Sequence, residues 1–246
     1  MKKNNLVKTF LSLLLFTTTH PTLAGNMGSE EAFKPTWKNL YLGGQLGGAW
    51  SRQSWQYTNL NYFNTIGSEL LGTRFAFNTS NMIGGGYAGL NFQSNSPWLL
   101  GLEGSFSGAN LTKTQASPIY TTDRYTSGLN ELAAVKGRLG YVNGGWLSYV
   151  TGGGAFANTS LTLADHIYNV LSTTTPWNSG WTLGAGVDYR LTQHIAVGLT
   201  YDYSDISFNN QTMSCPACGT GLGANSPILN GDFIIQSVMA RFSYLL

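Results

Sequence analysis

Across residues 179–191 the chain alternates: Trp181, Leu183, Ala185, Val187, Tyr189 and Leu191 are apolar, while Thr182, Gly184, Gly186, Asp188 and Arg190 between them are small, polar or charged. A period of two marks a strand with two unlike faces. Residues 194–207 repeat it, with Ile195, Val197, Leu199, Tyr201 and Tyr203 set against Ala196, Gly198, Thr200, Asp202 and Ser204. The same reading predicts further strands at 39–50, 81–93, 97–110, 131–142, 146–159 and 231–246, eight in all. In 146–159 the run from Gly152 to Gly154 erases the phase, so the faces of that strand stay unassigned.

The connections alternate as well. Those at Ser94–Ser96, Asn143–Gly145 and Thr192–Gln193 are very short, whereas 51–80, 111–130, 160–178 and 208–230 are long. Short turns on one side and long loops on the other, joining strands of about ten residues, describe an outer-membrane barrel with periplasmic turns and extracellular loops. An open edge in lipid would leave backbone groups unsatisfied, so the first strand is predicted to close on the last. The expected fold is an all-β, eight-stranded antiparallel transmembrane barrel over 39–246, its apolar faces toward outer-membrane lipid and lipopolysaccharide. Trp98, Tyr141, Trp146 and Tyr244 fall near the short turns, and Trp50, Trp181 and Tyr203 near the long loops, as two interfacial girdles require. A soluble β-sandwich is the competing architecture.

Residues 1–24 read as a secretory signal: Lys2, Lys3 and Lys8 precede an apolar run from Phe10 to Phe16, and Thr22-Leu23-Ala24 suits cleavage after Ala24. Residues 25–38 would form a periplasmic N-terminal segment. The apolar run is shorter than the roughly 20 residues a spanning helix needs. Cleavage removes three lysines and no acid, turning the net charge of +2 into −1, which gives no electrostatic footprint for nucleic acid. With 10% charged and 13% aromatic residues, the chain is poorly composed for a soluble surface and well composed for a barrel wall.

The segments Trp37–Gly48 (WKNLYLGGQLGG), Ile83–Asn91 (IGGGYAGLN), Leu100–Phe106 (LGLEGSF), Lys136–Tyr141 (KGRLGY) and Gly180–Tyr189 (GWTLGAGVDY), with an aromatic-alternating C-terminus, resemble the small outer-membrane β-barrel family. That family includes the opacity proteins and the membrane domain of outer membrane protein A, and is porin-like in architecture. The resemblance implies assembly by the barrel-insertion machinery. The chain departs from the family in ending at Leu246, where Phe is usual, and in placing Arg241 where the assembly signal commonly has Gly.

On the inward phase lie Glu103, Lys136, Arg138, Asp188, Arg190, Asp202 and Arg241, a candidate charge network filling the lumen. Glu103 is expected to face Lys136 or Arg138, and Asp188 or Arg190 to meet Asp202. Cys215 and Cys218, in Cys-Pro-Ala-Cys, are expected to form a local disulfide. Gly84, Gly86 and Gly89 spell GxGxxG, but without a following helix they suggest relief of crowding, for example around an inward Tyr87. His166, beside Asp165 and near Ser160, is the only basis for external hydrolytic chemistry. By resemblance to some relatives the loops could capture haem, for which His166 and Met213 give slight support. No catalytic, cofactor or metal site is predicted. The expected function is a structural or surface-interaction role, with loops rich in Asn, Thr, Ser, Tyr and Gly meeting host or cell-surface ligands. A narrow small-solute pore and a lipid-modifying enzyme are the alternatives.

Overall fold

The computed structural model describes residues 37, 40–61, 64, 68–117, 119–120, 122–165, 170–218 and 225–246. The chain divides into Met1–Lys34 and Pro35–Leu246. The signal and its cleavage site lie outside the described residues. The described residues form ten strands: β1 (Leu40–Asn59), β2 (Arg74–Gln93), β3 (Trp98–Ala109), β4 (Lys113–Ala116), β5 (Arg124–Asn143), β6 (Trp146–Asp165), β7 (Val170–Thr174), β8 (Trp177–Arg190), β9 (Ile195–Thr212) and β10 (Ile228–Leu245). Among the described residues no helix is long and apolar enough to cross a membrane.

Eight strands close a ring in the order β5-β3-β2-β1-β10-β9-β8-β6, sealed by antiparallel pairing of β6 with β5. The first strand pairs with the last, Tyr41 opposite Leu245 through Ser54 opposite Asp232. At the short-turn end the strand limits match the sequence pattern closely. At the other end they do not: β1 runs to Asn59, β2 begins at Arg74, β5 begins at Arg124, and β4 and β7 form where only loop was expected.

Toward the outside the ring loses two of its ladders. Pairing of β2 with β3 stops at Ile83 opposite Ala109, and pairing of β8 with β9 stops at Gly180 opposite Ile206. Beyond those points β4 pairs only with β5, and β7 with β6. The second seam is bridged by the single pair Thr173–Ser214. The outer half is therefore two four-stranded sheets, β2-β1-β10-β9 and β4-β5-β6-β7. A shared apolar core holds them together, with Trp55, Tyr57, Phe75, Phe77, Phe233 and Ile235 from one sheet meeting Leu111, Tyr125, Leu129, Leu161 and Leu163 from the other side.

This inverts the polarity of the alternation. Below, apolar residues point out: Leu42, Leu100 and Leu199 are 51%, 62% and 55% exposed. Above, Gln53, Trp55 and Tyr57 are buried while Arg52 and Thr58 are exposed. Water replaces lipid outside the outer girdle, so the same period-two backbone stabilises the opposite assignment of faces. The sheets are also pinned by polar bonds across the core: Gln53 Nε2 donates to the Leu111 carbonyl (2.9 Å), Trp55 Nε1 to Ser127 Oγ (2.9 Å), and the Tyr57 and Tyr125 hydroxyls lie 3.2 Å apart.

Candidate functional site

Within the membrane-spanning half, large inward side chains sit opposite glycines. Register pairs Tyr41 with Gly89, Tyr87 with Gly43 and Tyr149 with Gly186. It pairs Asp188 with Gly198 and Asp202 with Gly184. A Cβ at any of these five glycines would overlap the facing ring or carboxylate. The glycines thus let three tyrosines and two aspartates lie flat across the neighbouring strand and reach into a lumen only wide enough for side chains.

There, three carboxylates meet three cations, all buried. Glu103 accepts from Arg241 (Nη1 to Oε1, 3.2 Å) and from the Tyr41 hydroxyl (2.9 Å), and stands 3.5 Å from Lys136 Nζ. Lys136 also reaches Asp202 at 3.0 Å, and Arg138 is paired with Asp188. Arg138 Nη1 donates to the Tyr41 hydroxyl (3.2 Å), and Arg241 Nη1 to the Tyr149 hydroxyl (3.2 Å). The Arg138 guanidinium stacks 3.5 Å from the Tyr149 ring centre, and that of Arg241 lies 3.8 Å from the Tyr87 ring centre. Low dielectric makes each of these contacts strong and each unpaired charge costly, so the set is electrostatically self-contained.

Two expected pairings differ. Asp188 and Asp202 do not meet across β8 and β9, because register places a glycine opposite each and sends both carboxylates across the lumen to β5. Arg190 is outside the network. It sits at the end of β8, where Nε donates to the Thr192 carbonyl (3.2 Å) and Nη2 to that of Gln193, tying down the β8–β9 turn beneath Trp37. The sequence reading placed Tyr87 inward but gave no role to Tyr41 and Tyr149, although their pairing with glycines on adjacent strands was an available signal.

The network is capped on both sides. Toward the turns lie Trp37, Leu99, Leu147, Ala196 and Leu245, and toward the outside lies the core shared by the two sheets. Other sequence candidates fall elsewhere. Cys215 is disulfide-bonded, while the side chain of its expected partner Cys218 lies outside the described residues. His166 and the side chain of Asp165 lie outside them too, and Ser160 stands on β6 opposite Gly128. Met213 is fully buried in the outer core, which removes it as an external haem ligand. Gly84, Gly86 and Gly89 are mid-strand in β2, and it is Gly43 that makes room for Tyr87. Among the described residues no cluster of metal-ligating side chains occurs.

Outside, the expected girdles are formed. Near the turns Trp98 packs edge-on to Tyr141 (5.3 Å), Trp146 against Tyr189 (4.6 Å), and His194 stacks on Tyr244 (5.8 Å); near the loops Trp181 meets Tyr203 (5.5 Å). The sequence matches the model of the outer membrane protein beta-barrel domain over residues 10–235. The chain belongs to that family. The barrel is 25% identical over 179 residues to 31 kDa outer-membrane immunogenic proteins of Brucella melitensis and Brucella suis, covering 71% of this chain and 73% of theirs. Its fold is also that of the outer membrane protein OprG from Pseudomonas aeruginosa, at 14% identity and a TM-score of 0.50, covering 85% of this chain and 96% of that one. The barrel is a protein of the cell outer membrane.

Proposed function

We propose that this barrel is a sealed, non-enzymatic platform whose exposed outer half, and not its lumen, carries its role, which is contact with molecules at the cell surface. One observation carries the reading: the lumen is occupied by a neutralised ion network between two apolar plugs. A conducting path would have to break buried ion pairs, at about 3–5 kcal/mol for each partner removed, and open the outer core as well. The outer half, by contrast, is a rigid two-sheet support for the loops that join its strands, an arrangement suited to recognition. The Brucella relatives are named for immunogenicity, which accords with a surface-facing part.

Purified barrel in planar bilayers is expected to give no stable open state. A large steady conductance would overturn the sealed reading. Cells with the loops around residues 60–73 and 213–227 shortened are expected to lose adhesion while solute uptake and lipid A structure stay as in the wild type. Retained adhesion together with an uptake or lipid A defect would instead favour the pore or the enzyme.

A further inference from the structure

The seam between β2 and β4 opens on a groove of about 630 Å³ immediately above the outer girdle, and we infer that it binds the phosphorylated head of an outer-leaflet glycolipid. Trp50, Arg52, Asn78, Ser80, Lys113 and Gln236 line it. Trp50 is an exposed girdle residue, and Arg52 follows it on the same face of β1, one pair further out, opposite Asn78. Lys113 begins β4 on the far side of the seam. Both cations are exposed, and neither pairs with a carboxylate among the described residues; Asp232, opposite the adjacent Ser54, makes no ion pair with Arg52.

A second feature continues from the same strand. Thr114, Thr126, Thr162 and Thr173 stand in register across β4, β5, β6 and β7, forming one row of hydroxyls on the outer face of the sheet. Thr114 and Thr126 Oγ1 are 2.8 Å apart, and Thr162 and Thr173 Oγ1 3.1 Å apart. Strand spacing of roughly 4.8 Å repeats the row at a pitch suited to the hydroxyls of a saccharide. Two cations at the edge of the apolar band fit a phosphate held at the lipid–water boundary, and the threonine row beside them fits the sugars above it. The occupant is a lipid because the groove abuts the Trp50 side of the acyl belt. This site is independent of whether the lumen conducts.

The test uses the full barrel in detergent micelles, titrated with bis-phosphorylated lipid A, with the same lipid dephosphorylated, and with inorganic phosphate, read by retained lipid in native mass spectrometry and by the shift in Tm. Wild type is expected to prefer the phosphorylated lipid, and R52Q/K113Q to bind it at least about tenfold more weakly. Arg124→Gln, at the far end of β5, is expected to bind as wild type does. Lys113→Gln alone, at an exposed strand start, gives a partial loss even if the double variant fails to fold. Equal binding of both lipids, an undiminished Lys113→Gln, or an equal loss in Arg124→Gln would overturn the inference. Inorganic phosphate shifting Tm as much as the lipid would make this a free-anion site, and would overturn it too.

Discussion

At the scale of single residues, the lumen sorts side chains by whether they carry a buried charge or merely fill space. Glu103 is the hub, facing Arg241, Lys136 and Tyr41 at once. Glu103→Ala leaves two buried cations with one fewer carboxylate and is expected to cost about 3–5 kcal/mol in urea unfolding from lipid vesicles. Arg190→Ala removes bonds to turn carbonyls and the contact with the Trp37 ring, and is expected to cost roughly 1 kcal/mol by the same measurement. Gly198→Ala drives a methyl into the Asp188 carboxylate and is expected to cost about 1–3 kcal/mol. The inward position of all six network charges was legible from period two alone. Their partners were not, because alternation fixes the face of a side chain and leaves open which strand across the lumen it reaches. Register against glycines decides that.

At the scale of elements, the short-turn ends of the strands were readable and the long-loop ends were not. The stretch 52–58 alternates too, but with Gln53, Trp55 and Tyr57 inward and Arg52, Gln56 and Thr58 outward. A rule that sends apolar residues to lipid finds no strand there, since the surroundings have changed from acyl chains to water. The core that results has its own energetics. Trp55 is fully buried, edge-on to Phe208 (5.1 Å) and Phe233 (5.4 Å), and Trp55→Ala is expected to cost about 3–5 kcal/mol. Hydrogen exchange should then rise in the outer parts of β1, β5 and β10, and stay slow in the acyl belt. Burial and the neighbouring Tyr125 hydroxyl hold the Tyr57 phenol well above its ordinary pKa. A raised pKa means this contribution to stability is intact below the unfolded value, about pH 10, and is lost as pH rises beyond it. Outer-half stability is therefore expected to fall above about pH 10, and less steeply in Tyr57→Phe, as measured by urea unfolding across that range.

At the scale of the whole molecule, the barrel is two proteins in one wall. One half is a membrane cylinder with an ionic interior and a greasy exterior; the other is a water-facing sandwich with a greasy interior. Six of the eight ring strands, β1, β2, β5, β6, β9 and β10, run through both, which couples them mechanically. Arg241 shows the cost of that economy: it occupies the position where the resemblance leads one to expect an assembly-signal glycine, and it serves the network instead. Its replacement by Gly is expected to leave folded protein that melts at lower temperature in a heat-modifiability gel.

The two seams also act as a tide mark. A broken ladder strands amides and carbonyls that only water can satisfy, so a cylinder cannot part its staves while submerged in hydrocarbon. On one flank the staves separate just past Gly180, beside Trp181; on the other they separate past Ile83, with the Asn81 amide already lent to the Asn110 carbonyl. Where the wall splits, the oil has ended, and the height of the bilayer is written into the hydrogen-bond pattern as plainly as into its rings of tryptophan and tyrosine.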